Sequence, residues 1–211
     1  MFGLGICSSS PAVGARCAHA KAGIGAVASQ NITDPSLGGI ILEQLANGLS
    51  ADEALALALS RTPHGAYRQL LVVGARGPPR VHSGAHTLGI ASAAVGMDAA
   101  AAGNLLANAQ VPIEMIAAFS SSAGHLGFRL LTALKAGFDR GGEAGPVHST
   151  VLLVVAEPSW PVVDLRVDWS NGNPVNELSA LWDLYSPQID DYVTRAIDPE
   201  GAPRFGVPGD T

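Results

Sequence analysis

Charge is scarce in this chain. Only 14% of its 211 residues are Asp, Glu, Lys or Arg, against 47% that are apolar. So little charge is unusual for a small monomer with much surface to cover, and it points to an oligomer whose interface buries part of that surface. The 12 basic residues are scattered and the formal net charge is −6. Nucleic-acid binding rests on clustered Lys and Arg, so a nucleic-acid partner is excluded. Cysteine is also scarce. Cys7 and Cys17 are too few for a disulfide framework and read as a reduced, cytoplasmic pair. Met1 to Ser10 carries neither basic residues nor a long apolar run, so it does not read as a secretory signal. No apolar run reaches the ~18 residues of a membrane span. The longest candidate, Ile90 to Ala102, is mostly Ala and Gly and is broken by Asp98.

Enough apolar sequence remains for one full core, and its order gives the fold class. Phe2 to Ile6 and Gly23 to Ser29 read as short strands. Asp34-Pro35 announces a helix, with an N-cap carboxylate and Pro at the first helical position, ended by Gly48. Ser50 and Glu53 form the capping box of a second helix, which stops at Thr62-Pro63. Tyr67 to Gly74 and Arg80 to Ser83, around Gly77-Pro78-Pro79, read as a hairpin. Helices are expected at Ile113 to Ser121 and at Leu126 to Ala136, the latter ended by Gly137. Ser149 to Ala156, a nearly continuous Val-rich run, is expected as a buried central strand, followed by a strand over Val162 to Trp169. Asn173-Pro174 caps the last main helix, and the Pro- and Gly-rich stretch after Ile197 reads as a loose tail. Helices in pairs and strands in hairpins argue against a doubly wound parallel sheet. They fit an α+β protein of antiparallel sheets with helices outside. One domain over 1–197 and a tail over 198–211 are expected.

Most motifs dissolve on inspection. Gly23-Ile24-Gly25 lacks the third glycine and the acidic partner of a dinucleotide site, and close strand packing accounts for it. His82 and His86 sit on a strand end and a loop without a third ligand, so no metal site is expected, nor any cofactor. Cys7-Ser8-Ser9-Ser10 lines up four nucleophile-capable side chains, although a strand running into a polar turn is the favoured account of them. A nucleophile would need a base within reach. In Asp164-Leu165-Arg166-Val167-Asp168 the alternation of a strand puts both carboxylates beside one guanidinium. This is either a charge-paired stripe or a grip for a polar substrate group.

Several segments in fixed order resemble the domain of unknown function 1028 family, grouped with the N-terminal-nucleophile hydrolases. They include Phe2-Gly3-Leu4-Gly5-Ile6, Gly25 to Gln30, Asp34-Pro35 with Gly38, Gly48-Leu49-Ser50-Ala51, Arg68-Gln69 and His82-Ser83-Gly84. Further on come Gly103-Asn104-Leu105-Leu106, Arg129-Leu130-Leu131, Gly141-Gly142-Glu143 and Asp164 to Asp168. The resemblance spans residues 2 to about 184. It implies a four-layer αββα sandwich. It also implies a strand leading into Gly103, where propensity alone predicts helix over Ala99 to Ala102.

By the same resemblance the reaction would be hydrolysis of a small amide or peptide-like substrate. In that chemistry a Thr, Ser or Cys at the chain start attacks the carbonyl, and its own α-amine, titrating near pH ~8, serves as base. Asn104 is the first candidate for an oxyanion or substrate-orienting role, with Cys7 as a second catalytic candidate. Arg68, His82, Asp164, Arg166 and Asp168 are candidates for binding substrate. Met1-Phe2 offers no nucleophile where the family has a leading strand. The start therefore lies upstream, or the chain is catalytically silent, or it is cleaved before Cys7 or Ser8. Glu143 stands where the family pattern has Asp, and Val147-His148-Ser149 where Arg-Gln-Ser is usual. The competing expectation is a non-catalytic, oligomeric binding or scaffold protein.

Overall fold

The computed structural model describes residues 1–205. Its first elements are β1 (Phe2–Ser8), α1 (Val13–Cys17), β2 (Ala18–Lys21) and β3 (Gly25–Asn31). Gly23 has φ +71°, a turn conformation that favours glycine, so the strand expected from Gly23 begins at Gly25. α1 and β2 were not expected, because elements of five and four residues are too short to show a period.

Helices α2 (Ser36–Ala46) and α3 (Ala51–Arg61) follow. Asp34 Oδ1 accepts from Ser36 N at 3.0 Å and Ser36 Oγ at 2.6 Å, so it caps α2 as expected, with Pro35 just outside the first turn. The Ser50–Glu53 capping box is complete. β4 (Arg68–Gly74) and β5 (Arg80–Ser83) form the expected hairpin. β6 (Ser92–Val95) pairs with β7 (Ala100–Gly103), so the strand implied by the family resemblance is present and the helix of bare propensity is not.

α4 (Val111–Ser121) and α5 (Leu126–Asp139) pack side by side. α5 runs through Gly137, its expected stop. A Cβ at Gly137 would lie 2.7 Å from Met115 Cγ, so this glycine serves the close approach of α4. Gly141 and Gly142, with φ +116° and +55°, carry the chain away. β8 (Ser149–Val155), β9 (Pro161–Val167), α6 (Pro174–Tyr185) and α7 (Ile189–Ile197) complete the chain order. Asn173 Oδ1 caps α6 by accepting from Val175 N and Asn176 N, each at 3.0 Å. α7 was not expected. Its Arg195 donates to the carbonyls of Pro203 and Arg204, each at 2.9 Å, and so ties part of the following segment to the helix. Residues 206–211 of the expected tail lie outside the described residues.

The strands form antiparallel sheets in the orders β1-β8-β9, β2-β3-β4-β5 and β6-β7. β8 is central in its sheet and buried at every residue, as its apolar run predicts. Three clusters make the core. Val27, Leu70 and Val72 point from the four-stranded sheet to Ile41 and Leu55 of α2 and α3. Leu152 and Val154 point from the three-stranded sheet to α5 and α6, against Leu131, Leu134, Leu178 and Trp182. Leu4, Ile6, Val151 and Leu153 meet Ala26 and Ala28 between the two sheets. Strand alternation thus gives each sheet an apolar residue on both faces. The protein is a mixed α/β fold of antiparallel sheets. Among the described residues, no helix is long and apolar enough to cross a membrane.

Candidate functional site

The contact between the sheets is incomplete. On β4, outward Leu70 and Val72 are fully buried, while inward Leu71 and Val73 are only half-buried. Beside them opens a cavity of about 860 Å³, within the range of small-molecule sites. Its walls come from β1, the inner face of β3 and β4, the segment from Ala99 to Leu106, and the facing sides of α4 and α5.

One polar group in this wall is built with care. Gln30 and Gln69 lie directly opposite each other on β3 and β4. Gln69 is fully buried and is the hub. Its Oε1 accepts from Gln30 Nε2 at 2.9 Å and from Asn104 Nδ2 at 3.2 Å. Its Nε2 donates to Ser83 Oγ at 2.9 Å and to the Gly103 carbonyl at 3.1 Å. Gln30 Nε2 also donates to the Ala102 carbonyl at 3.1 Å. Both amide N–H groups of Gln30 and of Gln69, and one of Asn104, are thus spent on the protein. The side-chain carbonyls of Gln30 and Asn104 receive no protein hydrogen bond among the described residues, and both residues line the cavity. They are acceptors held ready for an N–H group. A tight turn sets Asn104 in place: Leu105 has φ +51° and donates from its N–H to the Leu88 carbonyl at 2.9 Å. Strain of this kind in a non-glycine residue clusters at binding sites.

A carboxylate stands at another point of the wall. Glu143 accepts from Ser9 N at 2.9 Å and from Ser9 Oγ at 2.6 Å, and both residues line the cavity. Nearby, Cys7 Sγ lies 3.3 Å from Thr150 Oγ1. The Thr150 hydroxyl donates its own proton to the Ile6 carbonyl at 2.9 Å, so the thiol must be the donor to Thr150. Burial pushes the Cys7 thiol up to about 11. The Glu143 charge adds to that rise. At neutral pH the side chain is therefore a thiol and a poor nucleophile. A maleimide or disulfide reagent should label Cys7 far more slowly at pH 8 than it labels a small free thiol. Because the folded value lies above the ordinary 9.0, the stability that Cys7 contributes is present below pH 9 and is lost as pH rises from 9.0 towards about 11. Denaturation midpoints across that window, compared with Cys7→Ser, measure it.

The cavity thus brings together Asn104 and Cys7, with Ser8, Ser9 and Ser10 beside Cys7, whereas Arg68, His82, Asp164, Arg166 and Asp168 do not line it. Arg68 donates from Nη1 to the Ile32 carbonyl. His82 Nε2 lies 2.9 Å from the Gly65 carbonyl, which fixes the Nε2–H tautomer. Asp164 and Arg166 form a two-point ion pair on β9, at 2.7 and 2.9 Å. This pairing raises the Arg166 guanidinium further. Asp168 makes no ion pair with it, so one carboxylate holds the guanidinium where two were expected. From the sequence, neither Gln30 nor Gln69 stands out as a site residue. The available signal was a glutamine at the polar end of each of two strands whose remaining length is small or apolar. Among the described residues no group of three His, Cys, Asp or Glu side chains is placed to hold a metal ion.

With this geometry in view, comparison with known proteins places the chain. The model of the Family of unknown function (DUF1028) matches residues 1–178. The chain belongs to DUF1028. A solved DUF1028 structure, protein SPO2555 from Silicibacter pomeroyi, is 27% identical in sequence and superposes with a TM-score of 0.81. The match covers 89% of this chain and 82% of that one. No curated protein matches the chain. The glutamine hub and the Gly103-Asn104 turn lie inside the region that matches DUF1028.

Proposed function

We propose that this DUF1028 chain has the architecture of an N-terminal-nucleophile amidohydrolase, a four-layer αββα sandwich, and takes a small amide or peptide-like molecule in the cavity between its sheets. One observation carries the reading. Two side-chain carbonyls, of Gln30 and Asn104, are pinned through the buried Gln69 in the wall of an otherwise largely apolar cavity. An amide ligand offers the N–H groups that such acceptors bind, and a ligand that excludes water from them without pairing them would meet a cost. Asn104 therefore has a substrate-orienting role. The packing of helices outside each sheet, with a third core between the sheets, supports the layered architecture.

A second reading is a non-catalytic, homo-oligomeric binding protein. It is favoured by the Cys7 thiol, which is engaged with Thr150 and held protonated. Intact-mass analysis of the native protein combined with a turnover screen of small acyl amides separates the two. Turnover that Asn104→Ala lowers at least about tenfold supports the hydrolase. An intact Met1 with no turnover sinks it. A strict monomer in light scattering counts against the oligomeric binder.

A further inference from the structure

β6 is the outer strand of a two-stranded sheet and, among the described residues, pairs with β7 alone. The direction of its peptide groups can be read from two contacts. Gly96 donates its N–H to the Ala99 carbonyl at 2.8 Å, so its groups face β7. Ala102, opposite Ala93, gives its carbonyl to Gln30 Nε2 at 3.1 Å and not to β6. Successive residues of an antiparallel pair alternate in this respect. Ser92, Ala94 and Gly96 therefore turn their backbone groups to β7, and Ala91, Ala93 and Val95 turn theirs away from it. The side chains of these last three residues are also exposed, Val95 at 51%.

An open edge of this kind is ordinarily blunted by charge, proline or a bulge. β9, β5 and β2 follow that rule: β9 carries the Asp164–Arg166 pair, β5 carries Arg80 and β2 carries Lys21. β1 borders the cavity. β6 has none of these guards. Its register against β7 is unbroken, and between Arg80 and Glu114 the only Asp, Glu, Lys or Arg is Asp98. Apolar surface adjoins it. Ile90 is 49% exposed and Met97 95%, and on α4, which packs on β6, Ile113 is 47% exposed.

We propose that β6 pairs with β6 of a second copy of this chain, antiparallel across a twofold axis at Ala93, and joins the two into a dimer. The outward residues select this occupant because they are self-complementary. Centred on Ala93, the register sets Ala91 of one chain opposite Val95 of the other, and each outward N–H and C=O meets a mate. Ala93 meets Ala93 at the axis, where small side chains let the backbones approach. Met97 of each copy reaches the Gly89–Ile90 segment of the other, so exposed apolar surface is lost on both. The two Asp98 carboxylates lie at opposite ends of the pairing, so like charges do not meet. The contact uses up the edge of both chains and closes at two. It names the face for the homo-oligomer of the second reading and is independent of what the cavity binds.

Light scattering on the full chain should give twice the 21.5 kDa mass of one copy. Ala93→Lys sets two ammonium groups side by side at the axis and should raise the dimer dissociation constant at least about a hundredfold. Ala93→Pro removes an outward N–H and should act in the same direction, leaving the bonds to β7 in place. Leu184→Lys, at an exposed leucine on α6, should leave the dimer intact. Amide exchange at Ala91, Ala93 and Val95 in the unsubstituted protein should slow as concentration rises through the dissociation constant. That measurement decides the matter even where a variant does not fold. Unprotected amides in the dimer, a dimer that survives Ala93→Lys, or one that Leu184→Lys dissolves equally would each overturn the inference and leave the oligomeric binder standing. A monomer at every concentration overturns both.

Discussion

Gln69→Ala should lower the stability of the protein by roughly 3–5 kcal/mol, since it both opens a hole and strands buried polar groups. Gln69 is fully buried. Without it, Gln30 and Asn104 lose an acceptor and Ser83 and Gly103 lose a donor. For a domain of this size that corresponds to a fall in Tm of about 10 °C. Gln69→Met keeps most of the volume and removes the hydrogen bonds, so it isolates the polar share, expected at about 2 kcal/mol or more. Both variants should also weaken amide-ligand binding at least about tenfold, because Asn104 is held to β4 through Gln69. Urea denaturation and ligand titration on the same samples check the two effects. A Gln69→Met protein with unchanged stability and binding would show that the amide hub positions nothing.

Leu152→Ala should cost a further class of stability, roughly 3–5 kcal/mol, by cavity formation alone. Leu152 has 0% exposure and sits in the cluster with Leu131, Leu134, Leu178 and Trp182. Its strand is flanked by a strand on each side and covered on both faces, so the neighbours cannot collapse into the gap. Leu184, 71% exposed on α6, is the matched control, and Leu184→Ala should change stability by less than about 0.5 kcal/mol. An equal loss for the two leucines, at unchanged denaturant slope, would mean that the core is placed wrongly.

The elements legible in the sequence are those whose signal is local. The Val-rich run of β8, the Ser50–Glu53 box and the Asn173 cap each depend on residues within a turn or a strand, and each is where it was read. The misreadings have a common physical origin. Gly137 is a helix breaker by propensity, yet it answers to Met115 on another helix. The segment Ala100 to Gly103 is alanine-rich and helix-prone, yet its pairing with β6 decides it. α1 and β2 are too short to carry a period.

The site shows the same division. Asn104 and Cys7 were picked out as chemistry-bearing residues, but only the chain path shows that they share a cavity and that the Cys7 thiol is spent on Thr150. Arg68, His82 and the Asp164–Arg166 pair carry charge or polarity that reads as functional in one dimension. In three dimensions each is bonded to protein groups away from the cavity wall. The pairing of Gln30 with Gln69 is set by strand register, which separates them by 39 positions in sequence.

The Asp164–Arg166 pair has its own effect at the opposite margin of the three-stranded sheet. β9 is terminal there, and a terminal strand invites another chain to continue the sheet. An incoming strand would have to settle beside a locked carboxylate and guanidinium, whose hydration it would strip away. That margin is guarded against fibre-like growth by strand addition.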